Sequence, residues 1–303
     1  MNPYRLRAYL AILVATVIWA VASPVIKFTL GGIDALSFLV YRFAISGVVA
    51  LATFALMGVH LPHSPKILVK LVIYSLFATS ISLALLFFGL EKTTVLEETL
   101  ILLATPLLIT AAGNYFLKEH VTSREKLGMG IALVGTVFTV IEPLIQNGTG
   151  AVKVSGNIFI LLSLVATVIA TILAKELLRE GVNPLTMTNV SFLVGFISII
   201  PFALIKYGAP HLLSTIINLP LPYQLGVFYM ALLSGSLAYT LSNLGQKTIE
   251  IGEASVFSYL YPVFAAPLAV LWLGEAITGT FILGGAIITV GVIIAELKKR
   301  RYN

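Results

Sequence analysis

A few polar and charged side chains interrupt long apolar runs, and their types and spacing set what chemistry the chain could carry. Ser236, Tyr239, Thr240 and Asn243 fall at i, i+3, i+4 and i+7, so a helix would present them on one face. Ser75, Thr79 and Ser82 form a similar face earlier in the chain. Hydroxyls, one amide and aromatics together suit a small amphipathic solute. The plainer reading of each Ser or Thr is a bond back to its own helix or across to a neighbour. Arg42 lies seven residues into an apolar run. It could snorkel to lipid headgroups, or it could meet an anionic solute or a carboxylate. Trp19 sits mid-run, while Tyr41, Tyr259 and Tyr261 sit nearer run ends, where aromatics ordinarily anchor helices at the interface. The candidate binding set is therefore Trp19, Arg42, Thr79, Tyr239, Asn243 and Tyr259.

Lys27 stands near one run end with Glu97 or Glu98 as a candidate partner, and Lys175 or Glu176 stands near another with Glu253. Two such pairs, placed as mirror images, would close two gates in turn. Ordinary helix-end charge would also explain them. Enzyme chemistry finds little support. There is no phosphate-cradling glycine loop and no nucleophile elbow. There are no cysteines. His60, His63, His120 and His211 fall in loops and do not complete a metal site, so neither metal nor cofactor is expected. Asn147-Gly148-Thr149 is a formal glycosylation sequon.

The elements that must position these residues are membrane spans. The 303 residues are 58% hydrophobic and 11% charged, against roughly 25% charged in soluble domains. Lipid is the solvent that such a surface needs. Runs near 8–28, 35–58, 67–90, 93–116, 124–145, 155–178, 184–207, 222–246, 252–274 and 278–297 are each about long enough to cross. We number them spans 1 to 10. The segment 208–221 has room for an interfacial turn. Arg5 and Arg7 followed by Ala20-Val21-Ala22 imitate a cleavable leader, but the length of the run favours a retained span. With the N-terminus inside, most of the 19 Lys and Arg fall on cytoplasmic loops and tails, including Lys298-Lys299-Arg300-Arg301. The net charge of +6 thus reads as orientation in a cell membrane, with both termini cytoplasmic, and not as nucleic-acid binding.

The chain also repeats. At a separation of 156 residues, Pro106 matches Pro262, Leu117 Leu273, Glu119 Glu275, Thr122 Thr278, Gly128 Gly284 and Gly135 Gly291. Upstream, Val14-Ala15-Thr16-Val17-Ile18 matches Val165-Ala166-Thr167-Val168-Ile169. The expected fold is all-α, with ten transmembrane helices in two five-helix repeats, 1–145 and 155–303, joined by an outer linker at 146–154. An odd number of crossings inverts the second repeat, and such folds hold a solute near the midplane between halves. Pro106 and Pro262 are candidate hinges. Gly128, Gly135, Gly284 and Gly291 give spans 5 and 10 small faces that suit helix packing or a homodimer contact.

Further motifs carry a family resemblance. Trp19-Ala20 followed by Lys27 resembles a Trp-Gly…Lys pattern, and Arg42-Phe43 resembles an Arg-Phe pair. Pro262 followed by Leu273-Gly274-Glu275 resembles a proline helix running into Leu-Gly-Glu. The first repeat has Pro106 and Leu117-Lys118-Glu119, with Lys118 in place of the usual glycine. Together these resemble the EamA-type ten-helix family of the drug/metabolite transporter superfamily. The resemblance implies a secondary transporter that exports or exchanges metabolites, amino acids or drug-like compounds. A channel-like facilitator and an intramembrane enzyme acting on lipid are the rival readings. With no carboxylate expected at mid-membrane, a proton relay is disfavoured and uniport or exchange is expected.

Overall fold

The structure, a computed structural model, describes residues 3–58, 61–118, 122–141 and 150–296. The described chain is helical from end to end: α1 (Pro3–Thr29), α2 (Ala35–Met57), α3 (Pro65–Lys92), α4 (Val95–Leu117), α5 (Ser123–Ile141), α6 (Gly150–Arg179), α7 (Pro184–Tyr207), α8 (Ala209–Ile217), α9 (Leu221–Thr248), α10 (Ile251–Leu271) and α11 (Gly279–Glu296). Eight of them, α1 to α4, α6, α7, α9 and α10, are long and apolar enough to cross a membrane, and α5 and α11 add shorter apolar stretches. Spans 1 to 7 are thus α1 to α7, and spans 8 to 10 are α9 to α11. The extra element α8 fills the segment expected to hold an interfacial turn. It buries Leu212 and leaves Leu213 and Ile217 exposed. His60, His120, the sequon Asn147-Gly148-Thr149 and the basic tail lie outside the described residues.

Local signals fix the helix starts. The Asp34 carboxylate accepts from the Leu36 and Ser37 amides, and Asn183 accepts from Leu185 just before Pro184. Both satisfy amides that a helix start leaves orphaned. Thr94 accepts from the Glu97 amide at the start of α4. There the Glu275 carboxylate, reaching over from the loop before α11, also accepts from Val95 and Leu96 at 2.8 and 2.9 Å.

Departures from regular helix are duplicated. α3 widens into π turns over Leu76–Ile81, and α9 does so over Tyr229–Leu237. The first segment displaced by 156 residues falls inside the second. α4 breaks at Leu103-Ala104, and α10 tightens into a 3₁₀ stretch at Val256–Leu260. Pro106 and Pro262 follow these breaks in the first turn of the next helical piece, the position where a missing N–H costs least. The residues that follow α4 and α10 also correspond in one position. Lys118 caps α4 in a left-handed conformation (φ 59°), and Gly274 takes φ 68° at the matching place.

The most extensive helix contacts join α5 to α11, α3 to α6, α1 to α9, and α7 to both α2 and α3. Every one crosses between repeats, so the halves interleave and do not sit side by side. Gly89 of α3 lies against Ile160 and Gly156 of α6, while Gly245 of α9 lies against Ile12 and Ala8 of α1. This packing pairs Ala8 with Gly156 and Ile12 with Ile160, a separation of 148 residues for the first span of each repeat. The run of identities at Val14–Ile18 is therefore three residues out of register, and small apolar residues recur too often in such helices for identity alone to place them.

The glycine faces of spans 5 and 10 are used in helix packing. They seat on one another within one chain. A methyl at Gly291 would meet the Ala132 amide nitrogen at 2.5 Å and the Gly128 carbonyl at 2.7 Å, and one at Gly135 would meet Ile288 at 2.7 Å.

Candidate functional site

A cavity of about 220 Å³ opens between the repeats, lined by α1, α2, α3, α4, α6, α9 and α10. Its wall is mostly apolar, with a few convergent polar groups, which is the usual character of a small-molecule site. Four of the expected binding residues line it: Trp19, Arg42, Tyr239 and Asn243.

The duplicated π turns explain how the aromatics are held. A widened turn leaves carbonyls without their regular helical donor. Trp19 donates its indole N–H to the Ser234 carbonyl at 2.9 Å, and Tyr239 donates its hydroxyl to the Ala78 carbonyl at 3.0 Å. Ala78 and Ser234 are themselves repeat mates, 156 residues apart. The two rings then meet edge to face at 5.2 Å, and Phe192 packs on Tyr239 at 5.5 Å. Asn243 is tied to the Tyr74 hydroxyl and to Thr188, each at 3.3 Å.

Arg42 is fully buried. It does not snorkel. Its guanidinium stacks over Phe87 at 5.6 Å and Phe192 at 5.9 Å. None of Nε, Nη1 and Nη2 has a hydrogen-bond partner among the described residues. Donors of this kind, held in a dry wall, are costly to leave unpaired and match a planar anionic group.

Thr79 and Tyr259, the other two expected binding residues, lie elsewhere. Neither lines the cavity. The Thr79 hydroxyl contacts the Ser75 and Ser191 carbonyls at 2.7 and 2.8 Å, so it joins α3 to α7. Tyr259 packs beside Leu100, Leu107 and Met129, and Tyr261 takes the place at the cavity wall. Ser75 and Thr240 likewise bond back to Leu71 and Ser236 of their own helices.

The expected gate pairs also differ. Lys27 turns from Glu97 and Glu98 to the Leu90 and Thr93 carbonyls at the end of α3, at 2.7 Å each. Lys175 donates to Gln246 at 2.7 Å and to Ile249 at 2.6 Å, at the end of α9. These are mirrored contacts of a cation with a helix C-terminus, where the last carbonyls lack partners. Mirrored ion pairs do exist, with other cations. Lys153 stands 3.7 Å from Glu97, and Arg5 2.6 Å from Glu253, which Tyr9 also contacts. Arg5 and Lys153 are 148 residues apart, so the register of the first spans is the signal that finds them.

Glu98 places a carboxylate inside the helical bundle. It is buried and lines the cavity. Ser23 of α1 donates to Oε1 at 2.8 Å. Ser23 lies six residues before the end of α1, so the carboxyl sits roughly 9 Å inside that end.

The fold and the cavity define a multi-pass helical membrane protein built to pass a small solute. The chain belongs to the EamA-like transporter family, whose profile matches twice, over residues 6–141 and 154–297. It is 24% identical over 99% of its length to an uncharacterised transporter, YyaM, of Bacillus subtilis, of which it covers 97%. It is 26% identical to a probable amino-acid metabolite efflux pump of Salmonella typhimurium, over 65% of each chain. A solved protein structure shares its fold with a TM-score of 0.59 and 21% identity, covering 98% of this chain and 97% of that one.

Proposed function

We propose that the protein is a secondary transporter that exports or exchanges small metabolites bearing a carboxylate, amino acids among them, across the cell membrane. Both termini face the cytoplasm. The repeats 1–145 and 155–303 rock about the breaks at Pro106 and Pro262, so that the cavity meets each side in turn. Arg42 receives the carboxylate through paired N–H donors, Trp19 and Tyr239 hold the apolar part, and Asn243 supplies a further polar contact. The pairs Lys153–Glu97 and Arg5–Glu253 lie at opposite ends of the path and open alternately.

The observation that carries the reading is the Arg42 guanidinium, buried in the cavity wall with its donors unpaired. The efflux pump of Salmonella typhimurium adds amino acids to the solutes worth testing. The experiment is exchange of labelled L-leucine in liposomes, with 4-methylpentanoate as the carboxylate competitor. Wild type exchanges leucine and is inhibited by 4-methylpentanoate. Arg42→Gln removes a charge-assisted hydrogen bond pair and weakens exchange about 10–100-fold. Arg42→Lys keeps the charge but not the fork, and rescues little. Unchanged exchange in Arg42→Gln, or a wild type that handles neither compound, would end the reading.

A further inference from the structure

We infer that Glu98 is a proton-exchange site: its carboxyl holds either a proton or the ammonium group of a zwitterionic solute, and thereby couples solute movement to a proton moving the other way. This rests on the carboxylate reading of Arg42 and adds a second subsite to the same cavity. Glu98 is 1% exposed. Its Oε1 is occupied by the Ser23 hydroxyl at 2.8 Å, while Oε2 is buried with no hydrogen-bond partner among the described residues, in a residue that lines the cavity. A buried carboxylate with a free oxygen needs a counterion or a proton.

The neighbouring cations are committed elsewhere. Lys27, one turn beyond Ser23 on α1, donates to Leu90 and Thr93. Lys153 of α6 stands on Glu97. Arg42 of α2 lines the same cavity without an ion pair to Glu98. From α10, Tyr261 reaches the cavity as a neutral phenol, and Glu275, from the loop before α11, is bound to the Val95 and Leu96 amides. In α5 the basic residues Arg124 and Lys126 lie in its first turn, and α11 presents only uncharged residues over 279–295. Among the described residues no fixed charge therefore neutralises Glu98, and a mobile one must.

The exchange balances. In the empty site Glu98 carries its proton and Arg42 its charge. When a zwitterion enters, its carboxylate settles on Arg42 and its ammonium on Glu98. The carboxyl O–H bond breaks, and the proton leaves to water on the side from which the solute came. Release of the solute on the other side lets a proton from that side take its place. One zwitterion then crosses for each proton that crosses in the opposite direction.

The test uses purified full-length protein in weakly buffered detergent with a pH dye, and L-leucine against 4-methylpentanoate, which lacks the amine. Leucine should release one proton per molecule bound, and 4-methylpentanoate none. Glu98→Gln should bind 4-methylpentanoate as wild type does, bind leucine about tenfold more weakly and release no proton. In liposomes, leucine should accumulate against its gradient under an opposing proton gradient, and this should vanish in Glu98→Gln. If both compounds bind wild type without proton release, or if Glu98→Gln still releases the proton, the Glu98 inference fails and the Arg42 reading stands. If neither compound binds, the Arg42 reading fails as well. The wild-type comparison of the two compounds decides the matter even if Glu98→Gln does not fold.

Discussion

Gly274→Ala isolates a backbone cost with no packing change to obscure it. Gly274, three residues past the end of α10, takes φ 68°, in the left-handed region that a Cβ disfavours. A methyl built there meets nothing within 4 Å, so the substitution adds only conformational strain. That strain is roughly 1–2 kcal/mol for an ordinary residue. Replacing glycine also restricts the unfolded chain, which returns about 0.4–1 kcal/mol. The net loss is about 0.5–1 kcal/mol, a fall in Tm of roughly 1–4 °C for a chain of this size. The repeat mate supplies the reverse change. Lys118 already bears the strain at φ 59°. Lys118→Gly relieves it, but it loosens the unfolded chain and removes a cation from a helix C-terminus, a favourable contact of about 0.3–1 kcal/mol. Its effect is therefore near zero, and the two substitutions are unequal. Thermal unfolding of the purified protein in detergent, followed by a buried-side-chain probe, measures both. A Tm that rises in Gly274→Ala, or a Lys118→Gly loss larger than that of Gly274→Ala, would refute the assignment of strain to these two caps.

Gly291→Ala should be the more damaging glycine change, because its methyl would press on the Ala132 amide and the Gly128 carbonyl, which are backbone and cannot rotate away. A loss of about 1–3 kcal/mol is expected, and an unshifted thermal midpoint would mean that α5 and α11 do not approach so closely. Asp34→Ala removes the cap of α2 and the acceptor of the Tyr207 hydroxyl, and should cost about 1 kcal/mol at neutral pH. Burial pushes the Asp34 carboxyl up, but hydrogen bonds from Ser37, Tyr207 and Leu36 outweigh it and hold the group below the usual aspartate range. Its stabilisation is thus present above the unfolded value and fades as pH falls through the lower folded value. Unfolding midpoints of wild type and Asp34→Ala should converge in acid, and a gap that persists there would contradict this.

The spans, their number and their duplication were legible because lipid demands long apolar helices and because proline, glycine and glutamate matches survive at one separation. The cavity was legible where a polar residue broke a long apolar run, as at Arg42, Trp19, Tyr239 and Asn243. It was illegible where a hydroxyl had two uses. Thr79 looks like a cavity residue by spacing, yet joins two helices, because a threonine back-bonded to Ser75 can serve a second carbonyl as well. The ion pairs were missed through register. First spans rich in Ala, Val and Ile match themselves at several shifts, and only packing of Gly89 and Gly245 against Ile160 and Ile12 selects the pairing that sets Arg5 with Lys153.

The wide turns in α3 and α9 also act as phase shifters. Each residue of an α-helix advances the face by about 100°, and a π turn absorbs one extra residue without extending the repeat that follows. Upstream of the distortion, Gly226 of α9 faces Thr29 of α1. Downstream, Asn243 faces the cavity while Gly245 seats on Ile12. Tightening Tyr229–Leu237 into a regular helix with every residue kept would rotate everything beyond it by about a quarter turn. Asn243 would leave the cavity wall, and a bulkier side chain would replace Gly245 against α1. The same holds in α3 for Gly89 against α6. In this family member, the irregular segments keep two surfaces of one helix aligned to two different neighbours.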